Sequence, residues 1–346
     1  MKEIKAYETA EQEGILLNAN ERSEALPEYY LREVADAVLS LTLNRYPDNS
    51  QRELLQAYAA VNGLNEDMLL AGNGSDQVLG HLIGTFLGKG KILYTYDPDF
   101  SMYDYFASSY EGEVRKYTIN EDGSLDIEEF IRTGREVKPS LVMFSNPNNP
   151  SGHCLSISEI ERIIAGFTGI PVCVDEAYIE FADEESAVSL LDRYDNLYIS
   201  RTLSKGYGLA GIRIGFLISR PENMKPLKDN YVPYALNVLS MKAAVIALKH
   251  HAEAEAFIER TREERRRMQK ALADSKRARY ILSQANFIYG YSSEKERLME
   301  LLDNASIVIR DYEGSDTFRI SVGTAKENDR VLEVLKQFEE EKTCGQ

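Results

Sequence analysis

Residues 200–216 read Ser-Arg-Thr-Leu-Ser-Lys-Gly-Tyr-Gly-Leu-Ala-Gly-Ile-Arg-Ile-Gly-Phe. This stretch joins two apolar runs, 197–200 and 214–219, that are typical of short buried strands. Lys205 therefore stands in a glycine-rich turn directly after a strand, where a merely solvated charge is unexpected. Most lysines are surface residues, and Lys205 alone would be interpreted as one. The other motifs of the chain favour a functional role for Lys205.

Short apolar runs of the same kind recur along the chain, at 91–95, 141–145, 172–174, 197–200 and 214–219. Most are separated by helix-length segments such as 158–167, and this alternation predicts a mostly parallel sheet with helices on both faces. Ligands of such a sheet bind at the carboxyl ends of its strands. Polar clusters follow three of the runs, at 146–152, 175–178 and 202–205. We therefore expect these clusters to meet at one edge of the sheet.

The segment before the first of these runs predicts a helix, a strand and a second helix. Residues 51–62 have an amphipathic helical pattern that ends at Asn62-Gly63, and 68–71 is a strand candidate. Residues 72–76, Gly-Asn-Gly-Ser-Asp, precede apolar residues at helical spacing, so we expect Ser75 to be the N-cap of a helix. The glycines lack the Gly-Lys-Ser/Thr ending of a nucleotide-binding P-loop.

The chain changes character near residue 236. A charged, helix-forming stretch runs from about 241 to 275, followed by strand-like segments at 287–291 and 318–322. We predict a large domain of residues 43–235 and a smaller α+β domain formed by residues 1–42 and 236–346.

Composition excludes several classes of function. The net charge of −16 disfavours nucleic acid as a partner. The chain has no apolar run of the ~20 residues that span a bilayer, and residues 1–13 do not resemble a signal peptide, so we expect a cytoplasmic protein. The three cysteines and four histidines have no spacing typical of disulfide frameworks or metal sites.

The polar residues at the strand ends match the separate requirements of pyridoxal 5′-phosphate (PLP). Lys205 supplies an amine for the aldehyde, and Asp175 a carboxylate for the ring nitrogen. Asn149 and Tyr178 are candidate donors to the 3′-oxygen, and Tyr103 is a candidate for stacking on the ring. Helix amides, hydroxyls and an arginine for the phosphate are available at Gly74, Ser75, Asp76, Thr202, Ser204 and Arg213.

Three segments resemble those of the fold-type I PLP-dependent aminotransferases: residues 148–152 (Asn-Asn-Pro-Ser-Gly), 175–178 (Asp-Glu-Ala-Tyr) and 201–213. Within that group the chain is similar to the histidinol-phosphate aminotransferases at residues 17–21, 44–47, 175–181, 309–311 and 319–323. The resemblance runs from about residue 15 to 325. It implies an α/β fold, with a mostly parallel mixed sheet between helices in the large domain and a smaller α+β domain.

The resemblance also implies roles for individual residues. Lys205 would hold PLP as a Schiff base and later shuttle a proton, while Asp175 pairs with the ring nitrogen and Tyr178 and Asn149 bind the 3′-oxygen. The remaining implied positions are Tyr46 at the cofactor of a neighbouring subunit, Arg319 at the substrate carboxylate, Arg310 at its distal anionic group and Tyr7 closing over the substrate. A homodimer with shared active sites is therefore expected. Ser151 replaces a common threonine, and Arg22 follows the Asn-Glu pair where proline is frequent.

The implied reaction is ping-pong transamination between a small amino donor and a keto acceptor, here glutamate and imidazole-acetol phosphate in the biosynthesis of histidine. An aromatic amino-acid aminotransferase would keep the cofactor site but need no phosphate contact, and a phosphothreonine decarboxylase would use the same arginines. A non-catalytic sensor module of this fold usually carries a basic DNA-binding head, of which this acidic chain shows no sign. Residues 206–211 match the dinucleotide motif GxGxxG, but a strand follows them where that motif requires a helix.

Overall fold

A computed structural model describes residues 13–341 as two sheets with helices packed around them. The strands are β1 (Ile15–Leu17), β2 (Leu69–Asn73), β3 (Ile92–Asp97), β4 (Glu113–Thr118), β5 (Leu141–Ser145), β6 (Val172–Asp175), β7 (Leu197–Thr202), β8 (Ile214–Ile218), β9 (Arg279–Tyr280), β10 (Phe287–Tyr291), β11 (Ile307–Asp311) and β12 (Thr317–Ser321). The α-helices are α1 (Glu28–Val38), α2 (Arg52–Asn62), α3 (Ser75–Phe86), α4 (Met102–Ser109), α5 (Ile127–Val137), α6 (Ile157–Gly166), α7 (Pro221–Asp229), α8 (Val238–Lys249), α9 (His251–Leu272), α10 (Lys295–Asn304) and α11 (Ala325–Glu340). None of the helices within residues 13–341 has the length and apolar character to span a membrane.

The large sheet has seven strands in the order β2-β8-β7-β6-β5-β3-β4. Strand β8 is antiparallel to both of its neighbours, and the other pairings are parallel. Strands β5, β6 and β7 are entirely buried, as their continuous apolar sequences predict. The carboxyl ends of these strands lie side by side with the start of β8, which places the predicted polar clusters at one edge.

Helices cover both faces of this sheet. One core lies under α1, α2, α5, α6 and α8, and the other under α3, α4 and α7. Helix α2 ends at Gly63, whose φ of 64° provides the left-handed cap expected from the Asn-Gly pair. The mixed, helix-covered sheet agrees with the predicted fold.

The small sheet has five strands in the order β1-β11-β12-β10-β9 and combines both ends of the described chain. Alternate residues of β12, such as Phe318 and Ile320, face a separate core beneath α10 and α11. Arg319 and Ser321 lie on the opposite face, which is directed at the carboxyl edge of the large sheet, as their bonds to residues 18–20 and Asn149 show.

The helical stretch predicted for residues 241–275 is two helices. Helix α8 ends at Lys249, α9 begins at His251, and His250 lies between them. Helix α8 packs against the core of the large sheet, whereas Met268 and Leu272 near the end of α9 reach the core of the small sheet. Helix α8 thus packs with the large sheet although it follows the predicted domain boundary at residues 235 and 236. That boundary stays a prediction.

Candidate functional site

Asp175 ends β6 and lies between two hydroxyl donors. Tyr103 donates to one carboxylate oxygen at 2.8 Å, and Ser200, its register partner on β7, donates to the other at 2.6 Å. Burial raises the pKa of Asp175 to about 6, although both hydrogen bonds oppose that rise. The carboxylate is therefore ionised at neutral pH and ready to accept a bond from a cationic ring N–H.

Tyr103 does not lie where a ligand could stack on it. Its side chain is 0% exposed, and its hydroxyl supports Asp175 from within the core. The stacking role predicted for Tyr103 does not fit this burial, because a ring that faces a cofactor pocket keeps an open face. Phe100, whose ring meets that of Tyr103 edge-on at 5.7 Å, is the aromatic residue of this turn that keeps an exposed part.

The Lys205 side chain extends from the turn after β7 toward the N-terminal segment. Its Nζ donates to the carbonyl of Ala19 at 2.9 Å and lies 5.9 Å from the centre of the Tyr178 ring. Burial, with a contribution from nearby Arg319, lowers the pKa of Lys205 to about 8. An amine in this state is partly neutral near physiological pH, which a nucleophile toward an aldehyde requires.

The start of α3 lies beside the turn before β8, where Gly74 pairs with Ile214. The helix begins at Ser75 itself, so the predicted Ser75 cap is wrong; Gly74 is the N-cap, and no side chain caps the first-turn amides. Arg213 donates to Asp76 at 3.3 Å beside these amides. Thr202 donates to Ser204 at 3.0 Å at the end of β7. Uncapped amides, hydroxyls and a guanidinium together can bind a phosphate.

Two glycines make this approach of α3 and β8 possible. Gly74 has a φ of +80°, and a Cβ there would lie 2.5 Å from the Arg213 guanidinium. A Cβ on Gly215 would lie 2.2 Å from the amide nitrogen of Ser75. Any larger residue would push the helix start away from the sheet.

Tyr178 lies three residues after Asp175, and the N-terminal segment holds its hydroxyl. The side-chain NH₂ group of Asn20 donates to that hydroxyl at 3.1 Å, while the side-chain oxygen of Asn20 accepts from the Ser321 hydroxyl on β12 at 2.9 Å. Burial raises the pKa of Tyr178, so its hydroxyl keeps its proton as a donor. Asn20 lies within residues 17–21, one of the segments that carry the family resemblance, but only the structure assigns it this contact.

Arg319 is a buried arginine that uses two of its five N–H donors in hydrogen bonds to Asn149 and Asn18. Its guanidinium donates to the side-chain oxygen of Asn149 at 2.5 Å and to the carbonyl of Asn18 at 3.0 Å. Its Nε has no hydrogen-bond partner among residues 13–341. A buried N–H without a partner costs stability, so the guanidinium is not fully satisfied by the protein alone.

Arg310 lies beside Arg319 across the small sheet. The two residues are opposite each other in the β11–β12 register, so their side chains share a face, and Tyr289 of β10 continues the row. The Arg310 guanidinium lies 5.7 Å from the centre of the Tyr312 ring. Two guanidinium groups on one face can bind two anionic groups of one small molecule.

Tyr46 is not part of this cluster. Tyr46 is 81% exposed and stacks on Tyr234 at 4.6 Å. Tyr7 lies outside the residues that the structure describes. The roles predicted for both stay predictions.

The residues that the structure brings together fit PLP. An amine with a lowered pKa, a buried carboxylate and an uncapped helix start with Arg213 lie around one edge of the large sheet. Four residues near this edge were not predicted from the sequence: Asn20, Phe100, Ser145 and Ser200. Ser145 and Ser200 ended their apolar runs in the sequence, and their position beside Asp175 at the end of a predicted strand was the available signal.

Comparisons with known proteins agree with this geometry. Residues 12–335 match the family described as aminotransferase class I and II. The histidinol-phosphate aminotransferase of Chlorobaculum tepidum is 32% identical over 344 residues, which cover 98% of this chain and 99% of that relative.

Two solved structures share the fold. The histidinol-phosphate aminotransferase of Sinorhizobium meliloti in complex with pyridoxal-5′-phosphate superposes with a TM-score of 0.84 at 23% identity, covering 94% of this chain and 91% of that one. The L-threonine-O-3-phosphate decarboxylase of Porphyromonas gingivalis superposes with a TM-score of 0.81 at 23% identity, covering 94% of this chain and 100% of that one.

Proposed function

The chain belongs to the aminotransferase class I and II family, whose members depend on PLP, and on that premise we propose that it transfers the amino group of histidinol phosphate to 2-oxoglutarate. The products would be imidazole-acetol phosphate and glutamate. The observation that carries this choice is the pair Arg319 and Arg310 on one face of the small sheet. Two guanidinium groups on that face suit a pocket that must hold glutamate's two carboxylates or a phosphate monoester.

Lys205, Asp175 and the α3 start would hold the cofactor. PLP, when bound, accepts the electron pair left at the substrate's Cα after its proton departs. Asp175 keeps the ring nitrogen protonated by accepting its N–H, and Tyr178 donates to the 3′-oxygen. The side-chain NH₂ group of Asn149 would donate to the same 3′-oxygen, while its side-chain oxygen accepts from Arg319. Arg213, Thr202, Ser204 and the first amides of α3 bind the phosphate.

Lys205 acts as the base in this arrangement. Its lowered pKa leaves part of the amine neutral near pH 8, so Nζ can take the proton from the substrate's Cα. Phe100 replaces Tyr103 as the residue proposed to stack on the ring, since Tyr103 is fully buried.

A second copy of the chain would complete the site. Tyr46 and Tyr234 form a stacked, exposed pair, and we propose that Tyr46 reaches the cofactor phosphate of the neighbouring subunit in a cytoplasmic homodimer.

An absorbance spectrum tests the substrate. Adding L-histidinol phosphate without a keto acid should remove the visible band of the bound cofactor, and 2-oxoglutarate should restore it. L-Phosphothreonine should release no carbon dioxide, and L-phenylalanine should convert the cofactor poorly. Rapid decarboxylation of phosphothreonine, or a response to phenylalanine alone, would contradict the proposed substrate but leave the cofactor assignment intact.

Replacing Arg310 tests the distal contact. Arg310→Ala should lower kcat/KM for histidinol phosphate by at least about tenfold, the loss expected for a hydrogen bond to a charged group. Arg297→Ala, in an exposed ion pair with Glu300 on α10, is the matched control. Equal kinetics of the two variants would exclude Arg310 from the substrate site.

A further inference from the structure

Asp99 is a second carboxylate beside Asp175 for which the mechanism above has no role. It lies in the turn between β3 and α4, directly before Phe100. Four donors surround its two oxygens: the Phe100 amide at 2.7 Å, the Ser145 amide at 3.2 Å, the Thr95 hydroxyl at 3.3 Å and the Ser145 hydroxyl. Two of the four are main-chain amides, which can only donate, so the ionised carboxylate is the form that this turn is built to hold.

The Ser145 hydroxyl transmits this arrangement to the site. Its single proton goes to Asp99, and its oxygen accepts from the main-chain amide of Asn149 at 2.9 Å and from the side-chain amide of Asn148 at 3.3 Å. Every hydrogen-bonding capacity of the hydroxyl is therefore used, and its orientation depends on Asp99.

Asn149 is the residue that this network holds. Its side-chain oxygen accepts from Arg319 at 2.5 Å, and its NH₂ group has no hydrogen-bond partner in the described part of the chain. An asparagine held in this orientation positions Arg319 and presents its NH₂ group as a donor. If the side-chain amide of Asn149 were rotated, its NH₂ group would face the Arg319 guanidinium. The bond from Arg319 and the donor to the 3′-oxygen would then both be lost.

We propose that Asp99 is a positioning residue for transamination, which fixes Asn149 through the Ser145 hydroxyl and thereby sets the donor to the 3′-oxygen of PLP and the orientation of Arg319. This inference rests on the proposed role of Asn149 toward the cofactor. It assigns a function to a carboxylate that touches neither the substrate nor the reacting atoms.

The charge of Asp99 makes this role depend on pH. Burial raises the pKa of Asp99 to about 7, against the hydrogen bonds from Ser145 and Phe100, and Asp175 adds to the rise. The other titratable groups that interact with Asp99 are the buried hydroxyls of Tyr96 and Tyr103. Because the raised pKa disfavours the charged form, the ionised carboxylate that accepts all four bonds is present above about pH 7 and is lost as the pH falls through that value.

The affinity of the apoprotein for PLP tests the inference without any substrate. Equilibrium dialysis should give a Kd about tenfold higher for Asp99→Asn than for the parent chain at pH 8.5, since one charged acceptor of a partly buried network is lost. At pH 6 the ratio should fall to about twofold or less, because the parent Asp99 is then largely protonated. Asp97→Asn is the matched control, since Asp97 lies two residues earlier, is about half exposed and pairs with Lys116 at 3.9 Å.

A double-mutant cycle separates this relay from a general loss of stability. Ser145→Ala should weaken PLP binding to a similar degree, and adding Asp99→Asn to it should change the Kd by less than about twofold, because both changes interrupt one chain of bonds. The inference would be overturned if the effects of Ser145→Ala and Asp99→Asn on the Kd multiplied in the double variant. It would also be overturned if the ratio of the Asp99→Asn Kd to the parent Kd were equal at pH 8.5 and pH 6. Since no substrate is present, a failure of histidinol phosphate to react would disprove the proposed function and leave this result unaffected.

Discussion

At the scale of single residues, the reactivity of Lys205 depends on its surroundings. Its pKa of about 8 arises mainly from burial, so below pH 8 the amine is protonated and cannot attack an aldehyde. The rate of covalent attachment of PLP to the apoprotein should therefore rise about tenfold per pH unit up to pH 8 and level off above it. Borohydride trapping followed by mass spectrometry measures that rate and identifies the residue that carries the cofactor.

Two lysine variants test this expectation. Lys205→Ala should yield no trapped adduct at any pH, while Lys225→Ala, in an exposed ion pair on α7, should behave as the parent chain. A trapped adduct at another lysine, or a rate that does not change between pH 7 and 9, would contradict the assignment.

At the scale of secondary structure, the uncapped start of α3 is the element on which phosphate binding depends. Gly74→Ala should raise the Kd for PLP by about tenfold, because the new Cβ would displace Arg213 and the backbone at φ +80° costs about 1–3 kcal/mol for any other residue. Binding of pyridoxal, which lacks the phosphate, should change much less. Parallel titrations of the apoprotein with both compounds measure the difference.

Gly63 at the end of α2 is the matched position for that comparison. It also has a positive φ, but a Cβ there would meet no atom within 4 Å. Gly63→Ala should cost about 1–2 kcal/mol of stability from backbone strain and leave PLP binding unchanged. A similar loss of PLP affinity in both variants would show that strain alone, and not the phosphate site, is responsible.

The positions of single strands and helices could be predicted from the sequence, but the break between two helices and the direction of a strand could not. Strand β5 was predicted at residues 141–145, as observed, because its apolar run ends at polar residues on both sides. The break at His250 was missed because both α8 and α9 consist of strong helix formers. The reversed direction of β8 has no local signal, since direction depends on how the chain returns to the sheet.

The same limit applies to the site. Lys205 and Asp175 stand directly at strand ends, so a rule about strand ends locates them. Tyr103 and Phe100 share one turn, and only packing decides which ring is buried. Asp99 was given no role from the sequence, because its donors include Ser145, which lies 46 residues away along the chain.

At the scale of the whole molecule, an exposed apolar surface predicts the assembly. Two segments meet at the stacked pair Tyr46 and Tyr234, and together they expose Leu39, Leu43, Tyr46, Val232, Tyr234 and Leu239. Exposed apolar side chains on two segments that meet in this way are typical of an interface. Leu43→Glu should convert the expected homodimer to a monomer with at least about tenfold less activity, since a buried unpaired charge costs several kcal/mol. Sedimentation velocity and activity measured on the same sample give both quantities.

An exposed leucine elsewhere provides the control. Leu282 is 78% exposed but lies on the small-sheet side of the chain, so Leu282→Glu should leave the dimer intact. If Tyr46 serves the neighbouring site, mixing Tyr46→Ala with Lys205→Ala should restore part of the lost activity through mixed dimers that contain one complete site. A monomeric parent chain with full activity would contradict both expectations.

The separation of the two sheets has a consequence for how such proteins diverge. Arg310, Arg319 and Tyr289 stand on a sheet with its own core, apart from the one that holds Asp175 and the turn of Lys205. Substitutions on that face of the small sheet can therefore change which ligands bind, while the residues around Asp175 and Lys205 stay unchanged. A lineage that duplicates such a gene inherits the reaction complete and needs to alter only a few positions of one small sheet to acquire a new role in metabolism.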